Sequence, residues 1–299
     1  MQQVSQAVKE KALSLLQEGT VTRVLGWKRG LFPDDVTPAV FTSPEIVAAD
    51  FVYDDYCGAN LSKYLIAESR KSESEGKIAV FLKPCDSYSA MQLLKEHRIL
   101  QDTVVFIGVQ CDGMMTDASG KAEPLGKCTV CKSKKIVLCD TLIGVQGEDL
   151  PSARFEAVEA IEAMPEEERF AFWQGELSRC IRCNACRNVC PACSCEKCVF
   201  DNPASGAQNK AAASSFEEQM FHIIRAFHVA GRCTDCGECS RVCPQHIPLH
   251  LLNRKLIKDA NDLYGTYQAG SDMDTKPPML DYRQGDCEPS IVYQRGGKP

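Results

Sequence analysis

The chain has 299 residues, 44% hydrophobic and 25% charged, which excludes wholesale disorder and leaves room for two compact units at roughly 100 to 200 residues each. With 34 Lys and Arg against 40 Asp and Glu the formal charge is −6, and no basic stripe with interleaved aromatics suits a phosphate backbone, so nucleic acid is not an expected partner. The 18 cysteines are the abnormal feature, below the density of a short secreted disulfide scaffold and far above an ordinary cytosolic enzyme.

The opening segment, MQQVSQAVKEKALSLLQEG, lacks the basic start, apolar run and cleavage site of a secretory signal. The expected compartment is therefore the reducing cytoplasm, where thiols serve as metal ligands rather than disulfides. No stretch approaches 18 consecutive apolar residues, so no membrane span is expected. After an amphipathic helix over about residues 3–18, strand-like and helical runs alternate as in an α/β layer. The clearest unit covers residues 77–110: KIAVFL as strand, KPCD as turn, SYSAMQLLKEHRIL as helix and TVVFIGVQC as a second strand. Such a βαβ crossover makes the strands parallel. It places Cys85 and Cys111 at adjacent carboxyl ends, the edge where open α/β sheets bind ligands. With Cys128-x2-Cys131 just beyond, four thiolates converge on that edge, a full ligand set for a [4Fe-4S] cluster. A redox dithiol at Cys128 and Cys131 is the alternative, without the strand-to-helix context of a thioredoxin-like motif.

Past residue 145 the character changes to an acidic helical stretch, PSARFEAVEAIEAMPEEERFAFWQGEL, whose Glu-rich face suits solvent. Its Phe170, Phe172 and Trp173 are expected to form an apolar lid over the neighbouring cysteines. Two copies of one run come next: Cys180-x2-Cys183-x2-Cys186-x3-Cys190-Pro191 and Cys233-x2-Cys236-x2-Cys239-x3-Cys243-Pro244. In this bacterial ferredoxin pattern three closely spaced thiolates grip one cubane, and the fourth, ahead of proline, reaches the other. One [4Fe-4S] cluster is therefore expected on Cys180, Cys183, Cys186 and Cys243, and a second on Cys233, Cys236, Cys239 and Cys190. Structural zinc would leave the third spacing and the trailing Cys-Pro unexplained.

Between the runs lies Cys193-x-Cys195-x2-Cys198. It reads either as a further cluster completed by Cys57 or Cys139, or as loop thiols or an accessory metal site. Cys57, Cys139 and Cys287 otherwise read as inert. DNPASGAQNKAAASS reads as a loop, and FEEQMFHIIRAFHVAGR as a helix ending at Gly231. His222 and His228, six apart, do not share a helical face and are expected to pack. His246 and His250 are four apart but lack an acidic third ligand. The segment from Ala269 onward reads as an extended arm. No hydrolytic nucleophile arrangement is recognisable, and Asp112 reads as a turn residue.

KPCDSYSAMQLLKE, VVFIGVQCDGM and GKCTVC resemble the beta subunits of coenzyme F-420 reducing hydrogenases and F-420-linked formate dehydrogenases. LSRCIRCNACRNVCPACSCEKC and GRCTDCGECSRVCPQHIPLHLL resemble the dicluster extension of the formate dehydrogenase type. The resemblance implies an α/β flavin-type domain with a mixed or parallel sheet over 1–145, a mainly α dicluster ferredoxin-like domain with helical flanks over 146–268, and the arm over 269–299. It implies an oxidoreductase subunit that carries FAD and passes electrons between a hydride carrier, F-420 or NAD, and the cluster chain. Expected partners are hydrogenase, formate dehydrogenase or heterodisulfide-reductase-like subunits. A flavin-free relay adaptor between two subunits is the alternative. No G-x-G-x-x-G marks the flavin site. Lys28 and Lys83 are the cations expected to meet its pyrophosphate or N1 region. The first domain is also shorter than the resemblance implies.

Overall fold

The structure is a computed structural model that describes residues 2–280, apart from 118–120, 152, 206–208, 211, 214 and 279. Helix α1 (Gln2–Gln17) buries Val8, Ala12 and Leu15 on one face, the i, i+4, i+7 stripe of a helix packed on a sheet. There follow β1 (Arg23–Arg29), β2 (Val36–Phe41), α2 (Pro44–Asp50), β3 (Phe51–Val52), α3 (Ser62–Arg70), α4 (Ser72–Glu75), β4 (Ile78–Leu82), α5 (Pro84–Lys95) and β5 (Val104–Val109). Strands β6 (Met115–Thr116) and β7 (Glu123–Pro124) form a separate short ladder. One-turn α6 (Gly126–Thr129) precedes β8 (Thr141–Ile143).

The main sheet runs β2-β1-β4-β5-β8, with β3 added to β1. Strands β1, β4, β5 and β8 are parallel to one another in that order, while β2 and β3 run antiparallel to β1. The sheet is thus mixed. All five residues of β4 are buried, as befits a central parallel strand, which carries a continuous apolar run instead of an alternation. Pro84 starts α5 with its φ preset for a helix, and Asp86 accepts from the Lys83 backbone N–H at 3.3 Å. Cys85 therefore sits in the first turn of α5, and Cys111 two residues past β5, both at the carboxyl edge.

The second half is helical among the described residues: α7 (Glu156–Glu162), α8 (Glu166–Ser178), α9 (Ala185–Asn188), α10 (Phe216–His228), α11 (Glu238–Arg241) and α12 (Leu249–Tyr264). Ser215 caps α10 by accepting from the Glu218 N–H at 3.3 Å. The helix ends at His228, three residues short of Gly231. Apolar side chains here pack around sulfur: Leu177, Ile247 and Leu249 form one core with Cys186 and Cys239, with Trp173 at its border. Of the expected lid only part covers this sulfur-bearing core. Phe172 packs with Val158, Ile161 and Leu251, and Phe170 is exposed.

Past residue 145 the chain pairs with the loop that follows α6, Lys134 N–H donating to Glu148 O at 2.8 Å and Leu150 N–H to Lys132 O at 2.9 Å. Beyond α12 the chain returns to α5. Gly270 adopts φ +73°, and a Cβ there would collide with the Tyr88 carbonyl oxygen. Gly270→Ala is expected to cost more than about 1 kcal/mol, from backbone strain plus lost docking, read as a lower urea midpoint. The rest of the expected arm, 281–299 with Cys287, lies outside the described residues.

Candidate iron-sulfur centres

Each ferredoxin run begins with a loop wound by two left-handed residues at matching positions. Arg182 (φ 56°) and Asn184 (φ 60°) flank Cys183, and Asp235 (φ 57°) and Gly237 (φ 71°) flank Cys236. Non-glycine residues rarely adopt this conformation, and it recurs at equivalent positions of the two loops. One-turn helices α9 and α11 then carry Cys186 and Cys239 inward, where both are buried.

Cys180, Cys183, Cys186 and Cys243 line a single cavity, together with Phe221, His222 and Leu249. Three thiols of the first run thus meet the Cys-Pro thiol of the second. Cys233 packs against Cys190, and Cys190 lies near enough to Cys233, Cys236 and Cys239 to help push all three thiols up. The backbone supplies N–H donors to sulfur, as from Arg182 to Cys180 Sγ at 3.3 Å. Burial pushes the Cys180 and Cys239 thiols up to about 11. Thiols of that kind release their protons to a metal rather than to water.

Cys85, Cys111, Cys128 and Cys131 line one cavity at the carboxyl edge of the sheet. Gly113 and Met114 turn the chain back so that the Met114 N–H donates to Cys128 Sγ at 3.4 Å. Four lysines, Lys83, Lys127, Lys132 and Lys134, lie in the same wall, a charge balance suited to a thiolate-bound anionic cluster. Lys132, over the Tyr88 ring at 4.4 Å, is held down to about 8 by burial against the pull of Asp235. Asp235 and Cys236 of the second half complete this wall, so two sulfur sets adjoin.

The halves are joined by buried charge. Glu238, 0% exposed, pairs with Lys127 from α6 and with Arg241 at 2.8 Å, and accepts from the Asn60 N–H at 3.2 Å. Burial raises its pKa, but Lys127 and Arg241 outweigh that and hold the carboxyl down to about 2. Asp235 is clamped by Arg254 at 2.8 Å, and Ser89 meets Thr234 at 2.9 Å.

Both lysines expected at a flavin are engaged elsewhere. Lys28 Nζ pairs with Asp50 at 2.6 Å on the surface. Lys83 is fully buried, donating to Asp86 at 2.8 Å and to the Ala59 carbonyl at 2.9 Å, with its ammonium 4.1 Å from the centroid of the Trp27 ring. It also lines the four-cysteine cavity. Cys57 is buried in the sheet core and Cys139 packs against Gly108, and neither lines the cavity that holds the Cys193 group. Among the described residues His246 and His250 do not converge with a third ligand, and His250 Nδ1 is hydrogen-bonded to Ser240 Oγ at 2.7 Å.

Two residues read from the sequence as ordinary helix positions prove central. Arg225 of α10, 2% exposed, donates to the Cys186 carbonyl at 3.1 Å and lies close to Cys186, Cys190, Cys193 and Cys239, a single cation serving several thiols. His222 is 1% exposed with neither ring nitrogen hydrogen-bonded among the described residues. One of its nitrogens lies within 4.8 Å of Cys180 Sγ and a Glu218 carboxylate oxygen. An unpaired buried ring nitrogen is costly, and a sulfur-bearing group in the adjoining cavity would supply its acceptor. Only the register of α10 against the first run, invisible to periodicity, reveals either role.

Paired loops of this kind define an iron–sulfur protein of the dicluster type, and residues 176–247 match the 4Fe-4S dicluster domain family. The chain is similar to beta subunits of F420-dependent formate dehydrogenases. It is 31% identical over 108 residues to F420-dependent formate dehydrogenase subunit beta of Methanocaldococcus jannaschii, an alignment spanning 36% of this chain and 27% of that relative's length. It is 23% identical over 361 aligned residues to F420-dependent formate dehydrogenase 1 subunit beta of Methanococcus maripaludis, covering 89% of this chain and 90% of the relative. That relative therefore carries segments without a counterpart here. A chain of the F420-reducing [NiFe] hydrogenase complex from Methanosarcina barkeri is similar over 35% of this chain and 38% of its own, at 19% identity and a TM-score of 0.27, too distant to carry an argument. No helix among the described residues is long and apolar enough to cross a membrane.

Proposed function

We propose that the chain is an electron-relay subunit of an oxidoreductase complex, passing single electrons through [4Fe-4S] clusters between partner redox subunits. The observation that carries this reading is the contiguity of the cysteine groups that the crossed pattern assigns to three clusters. Cys236 of the second set stands in the wall of the sheet-edge cavity, and Cys186 and Cys190 of the two ferredoxin sets share Arg225 as a neighbour. Electrons would run from the Cys85, Cys111, Cys128 and Cys131 cluster to the one on Cys233, Cys236, Cys239 and Cys190, then to the one on Cys180, Cys183, Cys186 and Cys243, or in reverse. The names of the relatives point to formate and F420 as the chemistry of the complex.

The form we favour is a relay without a resident flavin, in which Lys28 and Lys83 keep their carboxylate partners. Hydride exchange would then take place in a partner, with only one-electron steps here. FAD, if bound, would supply the switch between hydride and single electrons. Anaerobically purified protein is expected to hold no fewer than about twelve irons with matching sulfide, at four per cubane, and to release no flavin on acid treatment. Colourless protein, or zinc on the ferredoxin cysteines, overturns the relay. Stoichiometric FAD, reduced by F420 or NADH, would overturn the flavin-free form and restore direct hydride exchange.

His222 should donate a hydrogen bond to the sulfur of the cluster beside it. Such bonds favour the more negative, reduced state and raise the potential. His222→Phe is expected to lower the midpoint potential of that cluster alone, iron content unchanged, in an EPR-monitored redox titration.

A further inference from the structure

The relay leaves the Cys193, Cys195 and Cys198 group without a role. All three side chains line one cavity, with Ala192, Phe200 and Val229 as its apolar wall. Its rim is cationic. Arg187 lies near Cys198, Arg232 near Cys193 and Cys195, and Lys63 donates to the Cys193 carbonyl. Arg225 also reaches this cavity, 2% exposed and with its Nε unpartnered. A buried guanidinium N–H without an acceptor is costly, and an anionic group held by the three thiols would provide one.

We infer that Cys193, Cys195 and Cys198 bind a further cubane cluster through three thiolates, its fourth iron left to a donor other than the cysteines described. The Cys-x-Cys-x2-Cys spacing places three thiols within six residues, as compact a grip as the first three ligands of a ferredoxin run. His228 stands in the same wall as a nitrogen donor for the fourth position. Structural zinc calls for four closed ligands and would leave the cationic rim unexplained. The site adjoins the relay directly, since Cys193 and Cys233 both pack against Cys190 in one small core. Cys195 is exposed, so this cluster forms a surface port from the second ferredoxin cluster to a docked partner. The inference rests on the relay reading for its neighbouring cluster.

The test uses the full chain, purified anaerobically, against the triple variant Cys193→Ala, Cys195→Ala, Cys198→Ala. Wild type is expected to hold about sixteen irons and the variant about twelve, at four per cubane. A measurement on wild type alone covers the case in which the variant fails to fold. Ferricyanide takes one electron as the unique Fe2+ departs, converting [4Fe-4S]2+ to paramagnetic [3Fe-4S]+, expected at about one spin per chain by EPR. Equal iron in both proteins, zinc at this site, or no such signal in oxidised wild type overturns the port. Wild type with about twelve irons and no such signal sinks the port and leaves the relay standing, whereas wild type without iron sinks the relay itself.

Discussion

Glu238→Gln is expected to destabilise the chain by about 3 to 5 kcal/mol, the cost of stripping one partner from a buried ion pair and leaving its counter-charge stranded. The carboxylate is 0% exposed and joins Lys127, whose side chain is 6% exposed, to Arg241. It also accepts from the Asn60 N–H. Glutamine keeps the volume and can accept from one of these donors, but it removes the charge that makes two buried cations tolerable. Lys127 suffers most, because its burial opposes protonation and Glu238 is the main group sustaining it. Arg241→Gln should cost less, since its side chain is 26% exposed and water can take over part of its role for Glu238. Urea unfolding of the cluster-loaded protein, followed by tryptophan fluorescence, checks both. A loss below about 1 kcal/mol for Glu238→Gln would place the pair among weak surface bridges and remove it as the clasp between the halves. The same clasp positions Cys236 against the sheet-edge cavity, so the variant should also slow electron passage between those two clusters.

The βαβ unit was legible because a buried parallel strand writes itself as a continuous apolar run, and IAVFL and VVFIGV are such runs. The ferredoxin thiols were legible because cluster geometry dictates their spacing. The convergence of Cys85 and Cys111 followed from the handedness of one crossover. Residues whose role depends on how the halves meet were not legible. Glu238 reads as an ordinary helical glutamate, yet it faces Lys127 from a segment more than a hundred residues earlier. Arg225 and His222 lie on a helix whose pattern signals amphipathicity and nothing more, and sulfur cavities beside it give them their work. The partners of Lys83 were not legible either. A lysine before a strand-end cysteine suits a phosphate contact, but its side chain folds back on Asp86 and Trp27.

The crossed ligand assignment makes the sharpest prediction. In the background Cys180→Ala, Cys183→Ala, Cys186→Ala, which is expected to lose about four irons, adding Cys243→Ala should remove no more, because the cubane it served is already gone. Adding Cys190→Ala to the same background should remove about four further irons or convert that cluster to a three-iron form. Pairing within each run would give the reverse, with Cys190 silent and Cys243 costly. Iron and sulfide analysis of the three proteins decides it. The physical ground is the cavity shared by Cys243 with Cys180, Cys183 and Cys186, and the proximity of Cys190 to Cys233, Cys236 and Cys239. Strong non-additivity is the expected signature of side chains that serve one group. Crossing also carries a consequence for stability. Each cubane would bridge two segments some fifty residues apart in the chain, so loss of either should loosen both runs, much as opening a cross-link restores freedom to the unfolded chain.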